Sequence, residues 1–305
     1  MFDSLNMKLL QASRSAALRL LFLALTGLIT GLAAQAQEPP YFVTYSQVLE
    51  EPGSLEVALK SLAGSPQDAN TFYGPTVELE YGVTAWWTSE LYVQGQTTAG
   101  DSSVFTGFRL ENRFRPIPRE LPINPLLYFE FEDINGADKS LLEVVGNDSV
   151  EAFRGANAEN RREVKRELEL KLILSSYLRS WNISENFIAE KNVRHTEPWE
   201  FGYAVGVSRP LATYASAGDC ILCRQNFSAG AEMYGGLGTT NGFGLSSTSH
   251  YAGPSIRMDL PGRTTSVAFS PQFGLNGQSA DVLYRFTVAY EIQQLRDLFA
   301  RKAGQ

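Results

Sequence analysis

Two cysteines and two histidines among 305 residues leave little material for a disulfide scaffold, a metal cage or a histidine-based catalytic site. Cys220 and Cys223 stand together in D-C-I-L-C-R, with no second pair to complete a zinc site and no histidine placed for haem attachment. In an oxidising compartment the pair is expected to close a local disulfide, with free thiols, catalysis or metal binding as alternatives. H-E-x-x-H, G-x-S-x-G, phosphate-loop and calcium-loop motifs are all missing, so no cofactor and no metal are expected. His195 and His250 are expected at loop-side strand ends, and Ser249 beside His250 would point the other way along a strand, so a dyad is not expected. The carboxylate pairs at 78/80, 130/132 and 167/169 follow from strand periodicity alone. Beyond residue 36 no stretch approaches the run of roughly 18 apolar residues that a membrane helix needs, which excludes helical spans but not spanning by strands. A basic patch is lacking too. With 26 basic and 33 acidic side chains, the chain offers nothing that tracks a nucleic acid backbone.

What is present begins with a leader. Lys8, Arg14 and Arg19 precede an apolar segment from Leu18 to Leu32, and Ala34-Gln35-Ala36 supplies small residues at the cleavage spacing. Gly27 and Gly31 interrupt the segment, which suits a secretory signal better than a retained helix. Cleavage after residue 36 is therefore expected, and with no cysteine nearby the product is not a lipoprotein. Losing Lys8, Arg14, Arg19 and Asp3 with the leader leaves 23 basic and 32 acidic side chains.

The main signal is alternation. In R-R-E-V-K-R-E-L-E-L-K-L-I-L at 161–174, Leu168, Leu170, Leu172 and Leu174 fall on one face, and Lys165, Glu167, Glu169 and Lys171 on the other. A period of two denotes a strand with one apolar and one charged surface. The pattern recurs near 54–62, 75–83, 85–95, 104–115, 126–132, 180–191, 199–208, 226–237, 250–259, 267–275 and 282–292. The fold class is therefore all-β: a transmembrane antiparallel up-and-down β-barrel of twelve strands, an even number that returns both ends to the periplasm. Residues 54–292 form the barrel and 37–53 are a periplasmic lead-in or a short extra strand. Residues 293–305 form a periplasmic tail in which Leu295, Leu298 and Phe299 have helical spacing. Glu185 and Glu190 have opposite parity, which a bulge in the seventh strand, or extension of one of its ends beyond the lipid, would reconcile. Tyr73, Trp86, Trp87, Trp181, Trp199, Tyr284 and Tyr290 sit near strand ends, as interfacial aromatic belts require. A secreted sandwich would carry mostly Ser, Thr, Asn and Lys where this chain carries mid-strand Glu and Arg.

These stretches, together with T-Y-S-Q-V-L-E-E-P-G-S-L-E-V at 44–57, V-E-L-E-Y-G-V-T at 77–84, S-E-L-Y-V at 89–93, E-F-G-Y-A-V-G-V-S at 200–208 and F-S-A-G-A-E-M-Y-G-G at 227–236, resemble a broad, largely uncharacterised set of Gram-negative outer-membrane barrels of the porin or transporter type. The resemblance implies an outer-membrane location, passage of small solutes, and contact with outer-membrane lipids and the barrel-insertion machinery. One feature departs from that set: the last strand is followed by a tail, which offers a surface for a periplasmic partner.

The faces then define a lumen. Its expected acids are Glu78, Glu80, Glu90, Glu111, Glu130, Glu132, Glu167, Glu169, Glu190, Glu200, Glu232 and Glu291. Its expected bases are Lys60, Arg109, Arg113, Lys165, Lys171, Arg257 and Arg285. Charges in a low-dielectric wall must pair or stay hydrated. Full pairing makes a solid, non-conducting barrel. Hydration with an acid excess makes a narrow, weakly cation-favouring channel for small polar or aromatic solutes. A lipid hydrolase is the weaker third reading.

Overall fold

Alternation of apolar and polar residues at a period of two builds almost the whole of the computed structural model, which describes residues 38–66, 68–140, 145, 153–211, 226–260 and 264–295. Cys220, Cys223, the leader and residues 296–305 lie outside the described residues. Twelve strands run β1 (Leu55–Gly64), β2 (Phe72–Thr84), β3 (Trp87–Thr98), β4 (Ser103–Phe114), β5 (Asn124–Asn135), β6 (Val164–Leu178), β7 (Trp181–Asn192), β8 (Glu200–Pro210), β9 (Phe227–Thr239), β11 (His250–Asp259), β12 (Thr265–Gly274) and β13 (Val282–Ile292). The two-residue β10 (Gly242–Phe243) only extends the β9 hairpin, and a single-turn helix, α1 (Asn157–Asn160), lies between β5 and β6. Each strand pairs antiparallel with its neighbours, and β1 closes on β13 from Leu55 opposite Ile292 to Gly64 opposite Leu283. Closure leaves no free edge along the wall. The Leu295 N–H donates to the Gly53 carbonyl at 2.8 Å, tying the end of the barrel to its beginning.

The outer surface is apolar. Leu79, Leu91, Phe108, Leu110, Phe129 and Phe286 are all exposed along it, which makes sense only with lipid as the solvent. Placing a cation there should be costly: Leu170→Arg is expected to destabilise by roughly 2–4 kcal/mol near the bilayer midplane, whereas Glu169→Gln should leave insertion intact. Urea unfolding in lipid vesicles reads both, and equal losses would put the register off by one. Trp86 and Trp87 pack with Phe114 in an aromatic cluster at the end where β1 begins and β13 finishes, centroids 6.0–6.3 Å apart.

Three details differ from the sequence reading. No bulge occurs in β7, whose register with β6 and β8 runs unbroken; Glu190 faces inward and Glu185 outward, exposed between Leu174 and Val205. Next, β2 begins at Phe72 and β5 at Asn124, ahead of the starts expected at 75 and 126, so both take in a proline, which breaks neither. The ladder instead skips locally: β2 and β3 lose pairing at Gly74 and Pro75, and β11 and β12 lose it where Pro254 faces Pro271.

The third correction concerns residues 38–50, which form neither a lead-in outside the barrel nor an extra strand. They enter the lumen from the end where β1 begins and β13 finishes, reach the level of Glu232, and return to Gly53. Their backbone groups cannot join a ladder that is already closed, so they bond to inward side chains instead. Two glycines admit the segment. A Cβ on Gly206 would lie 2.6 Å from the Tyr41 ring, and one on Gly82 would lie 2.0 Å from the Glu51 carbonyl.

Candidate functional site in the barrel lumen

The inward faces of β2 to β6 carry a charge network. Arg113, nearly fully buried, binds Glu80 at 2.5 Å, Glu111 at 3.1 Å, and Glu90. Tyr92 donates to Glu90 and, at 3.0 Å, to Glu111. Arg109 makes a two-oxygen contact with Glu130 at 3.0 and 3.1 Å and lies 4.1 Å over the Tyr92 ring. Lys171 binds Glu169 at 2.8 Å with its ammonium 4.2 Å above Tyr128. Lys60 pairs with Glu78, while Arg257 takes Asp259 at 3.2 Å and Glu38. Glu132 and Glu232 are buried, Glu167 is nearly so, and Glu190, Glu200, Glu291, Lys165 and Arg285 are half-buried on the same inward parity. Glu56 and Glu38 join this set, and sequence reasoning had placed neither in the lumen.

Segment 38–50 is held by that wall. One carboxylate, Glu232, accepts three successive backbone N–H groups: Phe42 at 3.1 Å, Val43 at 3.0 Å and Thr44 at 3.1 Å. Consecutive N–H groups converging on one anion form a nest, here with the anion supplied by the barrel. Asn186 accepts from the Tyr45 N–H at 2.6 Å and donates to its carbonyl at 2.9 Å, copying a strand neighbour. Tyr45 donates its hydroxyl to Glu111 at 2.7 Å, and Arg113 and Arg115 donate to the carbonyls of Val48 and Gln47. Nothing in the Y-F-V-T-Y run announces these partners. The usable hint was in β8, whose inward residues Gly202, Ala204 and Gly206 leave room for an occupant.

At the opposite mouth the described residues of the β5–β6 connection pack against the wall. Asp138 accepts from Gln94 at 2.7 Å and Thr106 at 2.6 Å, Phe153 stacks on Phe72, and Asn157 bonds to Thr98 and Ser102. Between these residues and the segment lies a cavity of about 90 Å³, and a second of about 80 Å³ lies below beside Glu56, Glu78 and Glu80. The carboxylates of Glu56, Glu78 and Glu80, and of Glu130, Glu132 and Glu169, each lie within 4.8 Å of one another. In each trio two acids already bind an arginine or lysine, so neither trio is assigned a metal.

Glu50, on the returning limb, titrates abnormally. Burial, then the like charges of Glu291, Glu38 and Glu51, raise its carboxyl from 4.5 to about 8. The folded state therefore binds more protons than the unfolded one between those values, so stability falls as pH rises through that window. Glu50→Gln should flatten this fall, as read by unfolding midpoints at pH 5 and pH 9. An unchanged slope would assign it elsewhere.

The histidines offer no nucleophile pair. His250 spends its ring nitrogens on Tyr203 at 3.0 Å, Thr248 at 3.0 Å and the Leu245 carbonyl at 2.8 Å; His195 is exposed in a loop. Ser249 is buried but not hydrogen-bonded to either.

No protein-family model matches the chain, and no curated protein matches it. Solved structures do. The COG4313 outer membrane channel from Pseudomonas putida F1 superposes with TM-score 0.51 at 10% identity, covering 84% of this chain and 100% of that one. A closed twelve-strand wall, apolar outside and charged inside, shares that architecture. The chain is an outer-membrane β-barrel. A KdgM porin in complex with disordered oligogalacturonate (TM-score 0.46, 7% identity, 78% and 98% coverage) and LpxR from Salmonella typhimurium (0.40, 9%, 78% and 99%) are more distant and resemble it in outline only. This barrel sits in the bacterial outer membrane, with its outer face against the lipid.

Proposed function

We propose that the barrel is a narrow passive channel for small polar solutes, weakly cation-favouring, and held closed for most of the time by its own residues 38–50. The observation that carries this reading is the space left in the lumen: cavities persist above and below the segment, the lower lined by five acids and three bases and the upper by four of each. An acid excess along a pore raises local cation concentration. The segment is held by hydrogen bonds to side chains rather than by ladder pairing or a covalent link, so it can leave without breaking the wall. Chemistry is not part of this reading, nor is a cofactor. A non-conducting anchor, with loops or tail bound to a periplasmic partner, is the second reading, favoured by the pairing of Arg109, Arg113, Lys60 and Lys171 with acids.

Current through planar bilayers under a potassium chloride gradient separates the two. Brief openings are expected with a reversal potential on the cation side, moving toward zero when Glu111, Glu132 and Glu169 are replaced together by Gln. Folded protein that passes no ions, with or without residues 38–49, would overturn the channel and leave the anchor.

A further inference from the structure

The hydrogen bonds between the wall and residues 38–50 run mostly to the backbone of the segment. Glu232 accepts the N–H groups of Phe42, Val43 and Thr44, and Asn186 takes both the N–H and the carbonyl of Tyr45. Further along, Thr88 accepts the Glu50 N–H at 3.1 Å, while Arg113 and Arg115 donate to the carbonyls of Val48 at 3.2 Å and Gln47 at 2.8 Å. Backbone groups are the same in every peptide, so this grip is on a chain before it is on a sequence. Side chains add to it. Tyr41 reaches Asn182 and Gln47 meets Asn124, but the main anchor is Tyr45. Its ring lies 5.1 Å from that of Tyr128 and 4.8 Å from the Lys171 ammonium, and its hydroxyl donates to Glu111. Phe42 and Tyr45 line the cavities on both sides of the segment, so its departure joins the two.

We propose that the solute is a short peptide carrying an aromatic residue, and that residues 38–50 occupy the lumen as a built-in copy of it. The proposal rests on the channel reading for the segment's departure and the peptide's passage, but not for the peptide's binding. When the segment leaves, Glu232, Asn186, Thr88 and Arg113, all buried, lose these partners together. Buried polar groups cost free energy until both the donors and the acceptors they have lost are replaced. An inorganic cation answers Glu232 but is repelled by Arg113 and Arg115; an inorganic anion does the reverse. A neutral sugar offers hydroxyls but no run of N–H donors to converge on one carboxylate. A peptide supplies N–H groups for Glu232, an N–H and carbonyl for Asn186, carbonyls for the arginines and a ring for Tyr128. Main-chain bonds then give affinity and the ring pocket gives selectivity.

The test is fluorescence anisotropy with acetyl-Ala-Ala-Ala-Tyr-Ala-Ala-Lys-amide, labelled with fluorescein on its lysine. It is titrated with the full-length protein in detergent and with the form lacking residues 38–49, each shown to be folded by heat-modifiable gel mobility. Both should bind, the full-length protein about a hundredfold more weakly because its own segment competes. Asn186→Ala and Glu232→Ala should each weaken binding to the shortened form about tenfold, and so should methylating the amide nitrogens of the second and third alanines of the probe. Unlabelled peptide should displace the probe and maltotriose should not. If the shortened form does not fold, the full-length protein at higher concentration carries the same comparisons of probe and competitor. Three results would overturn the site: no binding to any folded form, binding indifferent to both Asn186→Ala and amide methylation, or displacement by maltotriose as effective as by unlabelled peptide. Peptide binding without ion current would keep the site and remove the channel. Current without peptide binding would do the reverse.

Discussion

Deleting residues 38–49 should turn a mostly silent barrel into a steadily conducting one, raising time-averaged conductance roughly a hundredfold. The magnitude follows from the contacts the segment would lose. Three backbone N–H groups leave Glu232, two bonds leave Asn186, and the Tyr45 hydroxyl leaves Glu111. Neutral hydrogen bonds contribute about 0.5–1.5 kcal/mol each and charged ones about 1.5–3 kcal/mol, offset by the entropy of ordering thirteen residues. A residual preference of about 3 kcal/mol is enough to hold the open fraction near 1%. Glu232→Ala should give an intermediate rise, on the order of tenfold, because it removes the nest anion but spares the Asn186 bracket. Planar-bilayer recording measures both. Equal conductance in all three proteins would show that the segment does not gate the pore.

Replacing Arg113 by Met should be the most damaging single change in the wall, about 3–5 kcal/mol. The guanidinium stands among Glu80, Glu90 and Glu111, and without it three carboxylates share a space from which water is largely excluded. Those acids can escape by taking up protons, so the loss should be smaller at pH 5 than at pH 8. Arg113→Lys keeps the charge but cannot fork across several carboxylates, and should fall between wild type and Met. Adding Glu80→Gln to Arg113→Met should recover part of the loss by removing one of the stranded charges. Urea unfolding in lipid vesicles at both pH values reads the series. An Arg113→Met midpoint matching wild type would mean that the network is hydrated and carries no structural weight.

The wall was legible because a strand's two faces meet two solvents. Leu170 beside Glu169, or Phe286 beside Arg285, can satisfy both lipid and lumen in only one register, so periodicity alone sorts them. Strand ends were less legible. The second and fifth strands read from residues 75 and 126, yet a closed wall pairs each strand on two sides and can absorb one missing donor, so β2 begins at Phe72 and β5 at Asn124, with Pro75 and Pro125 inside them. Glu185 misled for a related reason: parity suggested a bulge, but the unbroken ladders of β6 and β8 fix β7 and leave one acid facing lipid. The plug was the least legible part. Its hydrogen-bond partners Arg113, Glu111, Asn186 and Glu232 lie 65 to 190 residues away, and backbone N–H groups meeting Glu232 leave no pattern in the segment's own residues. Tyr45, Glu38 and Glu56 therefore entered the site only through the fold.

The central claim is that this barrel keeps its own N-terminal segment inside the lumen, and a single cross-link tests it most directly. In a background with Cys220 and Cys223 replaced by Ser, Tyr45→Cys and Asn186→Cys are introduced together and oxidised in intact outer membranes. The Tyr45 backbone and the Asn186 side chain exchange hydrogen bonds of 2.6 and 2.9 Å, which brings the two segments within one side chain of each other, so a disulfide joining them should be found by mass spectrometry after digestion. Two free thiols after oxidation, both open to a water-soluble maleimide, would place the segment outside the barrel and contradict the account.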